Sequence, residues 1–408
     1  MSGDEREGEA FFLDDPEKLD DPFSDLAYFR EHRPVFYYEP LDQWFVFGYD
    51  DVAALFADER LSADRMKGFV DAAPEAMQAE VGALAPFFET WVLMKDGADH
   101  ARLRKFLLRG FNAASTRELR GRIEEIAEGL LDDAERRGRI DAASDYGFLL
   151  PAYVLSAFMG VHEEDRDRIV QWSVDFVDFF NEIPITEETS ERMVKSASEM
   201  REYTLSLLEE RRSDPRDDFL GTLVAAEGED DGPTEDEIVG NAMLLLLAGH
   251  VAVRNLIGNV VYLLLTHPEQ RAALRSDPTL LHNAIEETLR YEPPVSLIPR
   301  VALSDVEFGG HAIGEGQIVQ LSIASANRDA THFPDPDRFD ISRPPGGALS
   351  FGHGPHTCLG VHLAKEQTRI AVEALFRRFP DLELDGEREI EWYRNAGNRG
   401  PESLPLVF

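Results

Sequence analysis

Apolar and polar positions along the chain alternate between two regimes. Val35-Phe36-Tyr37-Tyr38 and Trp44-Phe45-Val46-Phe47 are short apolar runs around a polar stretch, which predicts two strands joined by a loop. Gly48 and Asp50 then end the second strand and cap a helix over Val52 to Phe56. From about Asp99 to Met200 apolar residues recur at three- and four-residue spacing, the signature of helices packed on one face. The acidic run Glu227 to Glu237 predicts a surface loop that closes in Thr234-x-x-Glu237. That tetrad is a capping box, and it starts a helix running to about Leu265. A second helix is expected over Pro268 to Tyr291, then a hairpin of Val306-Glu307-Phe308 and His311-Ala312-Ile313 around Gly309-Gly310. A strand from Ile318 to Ile323 and a long helix from about Leu359 to Phe379 complete the pattern. The fold class is mainly α with small β-sheets. No repeat and no long Gly/Ser/Pro linker divides residues 1–408, so one domain is expected despite a length that favours more.

Composition narrows the functions. The 408 residues hold 41 Lys and Arg against 78 Asp and Glu, a net charge of −37. Hydrophobic residues make up 43%, too many for a disordered chain. A protein this acidic is repelled by phosphate backbones and anionic membranes, so neither nucleic acid nor a membrane is expected as a partner. The charge is also consistent with a salt-rich environment. Met1-Ser2-Gly3-Asp4-Glu5 has neither the basic nor the apolar part of a signal peptide. The most apolar stretch, Ala242 to Thr266, contains His250, Arg254, Asn255 and Asn259, which suits a buried helix better than a membrane span. A soluble, cytoplasmic protein is expected.

The chain has one cysteine, Cys358, which rules out an intramolecular disulfide or a multi-thiolate metal site. A lone cysteine is ordinarily a small buried hydrophobe. Its surroundings argue otherwise: Phe351-Gly352-His353-Gly354-Pro355-His356-Thr357-Cys358-Leu359-Gly360 leads directly into a helical pattern. Glycines at 352, 354 and 360 let backbone approach a flat ligand, and a helix N-terminus lowers a thiol pKa. Phe351-x-x-Gly354-x-His356-x-Cys358-x-Gly360 resembles the haem-ligand loop of the cytochrome P450 monooxygenases, with His356 where many members carry Arg. The resemblance implies haem b with Cys358 on the iron, the thiolate favouring oxygen activation, and haem buried between the central helix and the cysteine loop.

Four further segments match in order. Glu287-Thr288-Leu289-Arg290 resembles the family's Glu-x-x-Arg, although such a tetrapeptide alone is an ordinary ion pair. Arg338, in Phe333-Pro334-Asp335-Pro336-Asp337-Arg338-Phe339, resembles the third member of that buried network. His100 and Arg104 in Asp99-His100-Ala101-Arg102-Leu103-Arg104, together with Arg300, match positions that bind haem propionates, and His356 suits the same role. As a solvated helix face the His100 segment needs no such explanation. Ala248-Gly249, in the helix Ile238 to Leu265, resembles the stretch that passes over the oxygen side of haem. The likeness spans nearly the whole chain.

The chain departs from the family just beyond. Members usually follow Ala-Gly-x with an acid and a Thr that deliver the protons oxygen activation needs; here those positions are Val251 and Ala252. A side chain without an ionisable proton cannot relay one. Three readings stand: substrate groups and water supply the relay; peroxide is used directly; or the chemistry is a coupling, desaturation or isomerisation needing fewer protons. Arg254 suits a structural ion pair, and His250 a satisfied core histidine.

The matching substrate regions are apolar: Met66, Phe69, Phe87, Phe88, Trp91 and Met94, then Phe176, Phe179 and Phe180, then Val295, Leu297 and Ile298. Core packing alone explains the helical spacing of the Phe trio, yet in this fold some of these side chains are expected around a large apolar cavity, with Ser296 or Asn395 as polar anchors. The implied substrate is a hydrophobic small molecule such as a polyketide or terpenoid, hydroxylated or epoxidised with O2. Arg102, Lys105 and Arg109, with Lys365 and Arg369, are either a solvated face or a dock for an acidic ferredoxin. No fused electron-transfer domain is expected, so a separate ferredoxin and an NAD(P)H-dependent reductase are implied, unless peroxide bypasses them. A monomer is expected. A haem-binding partner protein without catalysis is a third class of function, against which the intact cysteine loop argues.

Overall fold

The computed structural model describes residues 11–13, 15–181 and 185–408; the first five residues read above for a signal peptide lie outside them. It is mainly helical with small sheets. The Glu235–Thr266 helix runs through the centre, and from Ile238 to Leu264 most of its side chains are buried. Its start is the predicted capping box: Thr234 N donates to Glu237 Oε2 at 2.9 Å, and Glu237 N donates to Thr234 Oγ1 at 3.3 Å. Around it pack the helices Leu149–Met159, Arg166–Asn181, Glu187–Ser213, Leu281–Tyr291 and Val361–Arg378. The last of these also lies along Ala113–Arg137.

A five-stranded sheet stands to one side, in the order Val35–Tyr38, Gln43–Val46, Ile318–Ser322, Leu297–Ala302, Leu61–Ser62. Its register sets Ser62 opposite Val301, so the turn after Ser62 runs beside Arg300. In the predicted hairpin Gly309 and Gly310 have φ of +57° and +80°, the left-handed pair that a tight two-residue connection requires.

Two expectations are corrected. The helix after Gly48 spans Tyr49–Phe56 with no side-chain cap, and Asp50 instead faces His332 at 2.9 Å. The single helix expected over Pro268 to Tyr291 is two, Pro268–Ser276 and Leu281–Tyr291. Asp277 stands before Pro278, whose ring disfavours helical backbone in the preceding residue; Asp277 is extended.

The C-terminal segment closes the molecule over the central helix. Glu391–Trp392 and Pro401–Ser403 form a hairpin. A side chain on Gly400 would meet Asn255 Cβ at 2.7 Å, and one on Gly258 would meet Pro401 at 2.7 Å. Asn259 Nδ2 donates to Arg399 O at 3.1 Å.

Candidate active site

The cysteine loop is closed by Cys358 N donating to Phe351 O at 2.9 Å. Gly352 and Gly354 hold φ of +72° and +75°, and a Cβ on Gly354 would press on Ala57 at 3.1 Å. Gly360 is different: a Cβ there would meet Cys358 Sγ at an ordinary 3.9 Å. Half-buried Phe351 packs on the core under Lys365. Cys358 itself is exposed.

The expected lowering of the thiol pKa is reversed. Surrounding protein pushes the Cys358 thiol up, against the pull of the Gly360 N–H and the Arg104 guanidinium. The helix begins only at Val361, so the sulfur lies outside its first turn. Ligation to a metal would reverse that shift, because a coordinating thiol gives up its proton.

Beside the loop lies a cluster rich in positive charge. His100 is buried with its ring 4.0 Å from that of His356. Burial, with His356 and Arg104 nearby, pulls His100 down to about 4. Arg104 Nη2 donates to Thr357 O at 2.6 Å. Arg300 is buried against the Phe56 ring, with one bond to Pro299 O at 3.0 Å. The structure adds two residues not picked out from the sequence. Asp96 stands 3.5 Å from His356 Nε2 and accepts from Ser62 Oγ and Ala63 N. Burial alone would raise it, but those bonds hold it at about 2. Arg65 carries a buried Nη1 without a partner, and burial beside Arg300 lowers it to about 10. Asp96 was legible as the residue before Gly97 at the head of the His100 helix; nothing in the local pattern marks Arg65.

On the central helix Ala248 is exposed, Gly249 and Ala252 are half-buried and Val251 is buried. Ala248 is the one exposed residue between Ile238 and Leu265. Ala248 and Ala252 are one turn apart, so they share an accessible face. Gly249 is required by packing, since a Cβ would lie 2.9 Å from Leu155. His250 is buried, with Nε2 2.7 Å from Phe148 O, and burial lowers it to about 4. Its Nδ1 has no partner, so it is a core histidine only partly satisfied. Arg254 makes no ion pair among the described residues: its guanidinium donates to the Tyr393 hydroxyl and Glu402 O, between the Phe148 and Tyr393 rings.

Glu287 and Arg290 pair through two 2.8 Å bonds, both side chains 2% exposed. The third member is Arg343, at 3.2 Å from Glu287, and not Arg338. Arg338 points outward at 66% exposure and offers Arg290 only its carbonyl, at 3.1 Å.

The aromatic residues of the substrate regions pack on one another. Phe88 meets Trp91 edge-on at 4.8 Å and Phe176 at 6.1 Å, and Phe179 meets Phe180 at 5.3 Å. Met66, Met94 and Phe179 are buried in the same core, Phe87 borders it, and the Phe69 side chain lies outside the described residues. Leu297 is buried, with Val295 and Ile298 partly so. Ser296 and Asn395 line a cavity of about 20 Å³, room for a water and not for a substrate. The Asn395 carboxamide is also engaged in its own turn, accepting from Asn398 N at 2.7 Å.

The basic face is largely self-neutralised. Arg102 pairs with Glu237, Arg109 with Glu229, Lys365 with Glu286, and Arg369 with Glu366 and Glu373. Exposed Lys105 lies near Glu229 and the Phe106 ring.

A cytochrome P450 family model matches residues 45–393. The chain belongs to the cytochrome P450 family. It is 38% identical to 6-deoxyerythronolide B hydroxylase of Saccharopolyspora erythraea over 393 residues, covering 95% of this chain and 96% of that one. It is 39% identical to the cytochrome P450 monooxygenase PikC of Streptomyces venezuelae, covering 95% and 91%. P450BioI, solved with an acyl carrier protein bearing hexadec-9Z-enoic acid, superposes with a TM-score of 0.87 at 32% identity, over 96% of this chain and 99% of that one.

This P450 is therefore a haem monooxygenase, and its residues fit the group. An exposed thiol on a glycine-shaped loop suits an iron ligand, and the cluster of His100, Arg104, Arg300, His356 and Arg65 suits propionates. Among the described residues one helix is long and apolar enough to cross a membrane, Glu235–Thr266, and its most apolar window is 83% buried.

Proposed function

We propose that this P450 hydroxylates or epoxidises a polyketide-like small molecule, with protons supplied by water and by the substrate's own polar groups. Haem, when bound, supplies the oxygen-activating iron. Cys358 would hold that iron, with Phe351, Gly352 and Gly360 shaping its loop. His100, Arg104, Arg300 and His356 would hold the propionates. Ala248, Gly249 and Ala252 would leave room for oxygen and substrate, while Glu287, Arg290 and Arg343 would brace the cysteine loop.

The observation that carries the reading is the accessible face of Ala248 and Ala252 in an otherwise buried helix. It is apolar and small, so a bulky hydrophobic substrate fits against it, and it offers no side-chain proton. Val251 is buried beside it and offers none either. Water held by a substrate hydroxyl or carbonyl is the remaining donor. Relatives named as 6-deoxyerythronolide B hydroxylase, mycinamicin IV hydroxylase/epoxidase and polyketide biosynthesis cytochrome P450 PksS support the substrate class. Arg254 lends no support to direct use of peroxide, since its guanidinium is turned to Tyr393 and Glu402. Electrons come from a separate ferredoxin and its NAD(P)H-dependent reductase, and the enzyme works as a cytoplasmic monomer.

The test is a Soret titration against macrolactones, terpenoids and fatty acids, with turnover of any compound that shifts the iron to high spin. A macrolactone that binds and gains one oxygen, while its deoxygenated analogue binds without turnover, is the expected result. High-spin shifts from terpenoids or fatty acids alone would overturn the substrate class. Equal turnover of the deoxygenated analogue would overturn the proton source.

A further inference from the structure

Arg65 sits where a short strand turns into a helix. Leu61–Ser62 pairs with the strand of Arg300, and Met66–Ala72 starts the helix beyond. The turn thus sets the two guanidinium groups close enough for Arg300 to disfavour the charge on Arg65. Buried like charges persist where something opposite completes them. The nearby carboxylates favour these charges only through space, Asp64 that of Arg65 and Asp96 that of Arg300; their oxygens are spent elsewhere, Asp96 on His356, Ser62 and Ala63, and exposed Asp64 on Met66 N at 3.0 Å. Arg65 Nη1 is left buried with no acceptor among the described residues, while Arg300 spends one nitrogen on Pro299 O. An orphaned donor of this kind is rare in a folded interior, and the planar fork of a guanidinium is matched by the two oxygens of a carboxylate.

We propose that Arg65 and Arg300 form a two-armed carboxylate receptor whose occupant is a haem propionate. Arg65 approaches from the Leu61–Ser62 turn and Arg300 from the neighbouring strand, so the group is gripped from two segments distant in sequence. His356 and His100 stack beyond Asp96, which places the receptor at the edge of the cluster already assigned to propionates. A substrate carboxylate shares the same chemistry, and the experiment separates the two sources.

Holoenzyme is prepared as wild type, Arg65→Met and Arg65→Lys, with far-UV circular dichroism to establish an unchanged fold. Haem transfer to excess apomyoglobin is timed, and the propionate-bending Raman band of the ferric protein is recorded. Each protein is also titrated with myristic acid and with methyl myristate. The expected result is that Arg65→Met speeds haem transfer about tenfold or more and shifts the Raman band, with Arg65→Lys between. The acid and ester should then bind each variant as they bind wild type. Unchanged transfer with a tenfold weaker binding of the acid alone would move the receptor to a substrate carboxylate and overturn the propionate assignment. Unchanged transfer, Raman band and acid binding together would overturn the receptor itself. A residue that merely supported the fold would move neither the Raman band nor the acid–ester difference.

Discussion

Val251 and Ala252 are adjacent in sequence but not equivalent in the fold, and the difference is open to mutation. Ala252 lies on the accessible face and Val251 in the core. Ala252→Thr is expected to raise the product formed per NADH consumed with a substrate that lacks a hydroxyl. Val251→Asp is expected to lower stability by about 3 kcal/mol, because it buries a carboxyl without a partner; chemical denaturation reads the second directly. His250 yields a pH dependence. Its folded value near 4 lies below the ordinary histidine value, so the unfolded chain takes up the proton first as pH falls. Its contribution is full above about pH 6.5 and lost toward pH 4, on the order of 3 kcal/mol. His250→Gln should flatten the stability profile across that window; an unchanged slope would show that other groups produce it. Cys358, His100 and Arg300 were legible in the sequence because motif spacing marks them. Arg65 was not, since its role depends on a strand register that joins residues far apart in the chain.

At the scale of elements, the buried pair Glu287–Arg290 was readable from its spacing, but its third partner was not. Both Arg338 and Arg343 flank the same turn. The burial of Phe339 and Ile341 and the Asp340 N–H to Glu287 bond of 3.0 Å turn Arg343 inward and leave Arg338 in solvent. Arg338→Ala should therefore change stability by no more than about 0.5 kcal/mol. Glu287→Ala, which strands Arg290 and Arg343, should cost about 3–5 kcal/mol and lower haem content after purification; an equal effect of the two substitutions would refute the assignment. Long helices were visible from periodicity and the capping box. The break at Asp277-Pro278 was masked by apolar spacing that continues on both sides of it.

At the scale of the molecule, the charge of −37 is not localised into a basic docking face, because most of the candidate cations are paired with neighbouring acids. Surplus carboxylates then repel one another across the surface, and salt screens them. Thermal midpoints should rise by several degrees between about 0.05 and 1 M NaCl, measured by circular dichroism at constant pH. A flat or falling midpoint would show that the ion pairs dominate.

The stitching of residues 393–402 onto the central helix bears on how the protein is made. Arg254 finds its two acceptors, Asn259 one of its two, and Asn255 and Gly258 their packing against Gly400 and Pro401 in a segment synthesised long after the helix itself. Until that segment leaves the ribosome, the Arg254 guanidinium on this buried helix has neither of its acceptors and Asn259 lacks the Arg399 carbonyl. Haem capture should thus follow release of the chain rather than accompany its synthesis, and a nascent chain stalled before Tyr393 should acquire no Soret band.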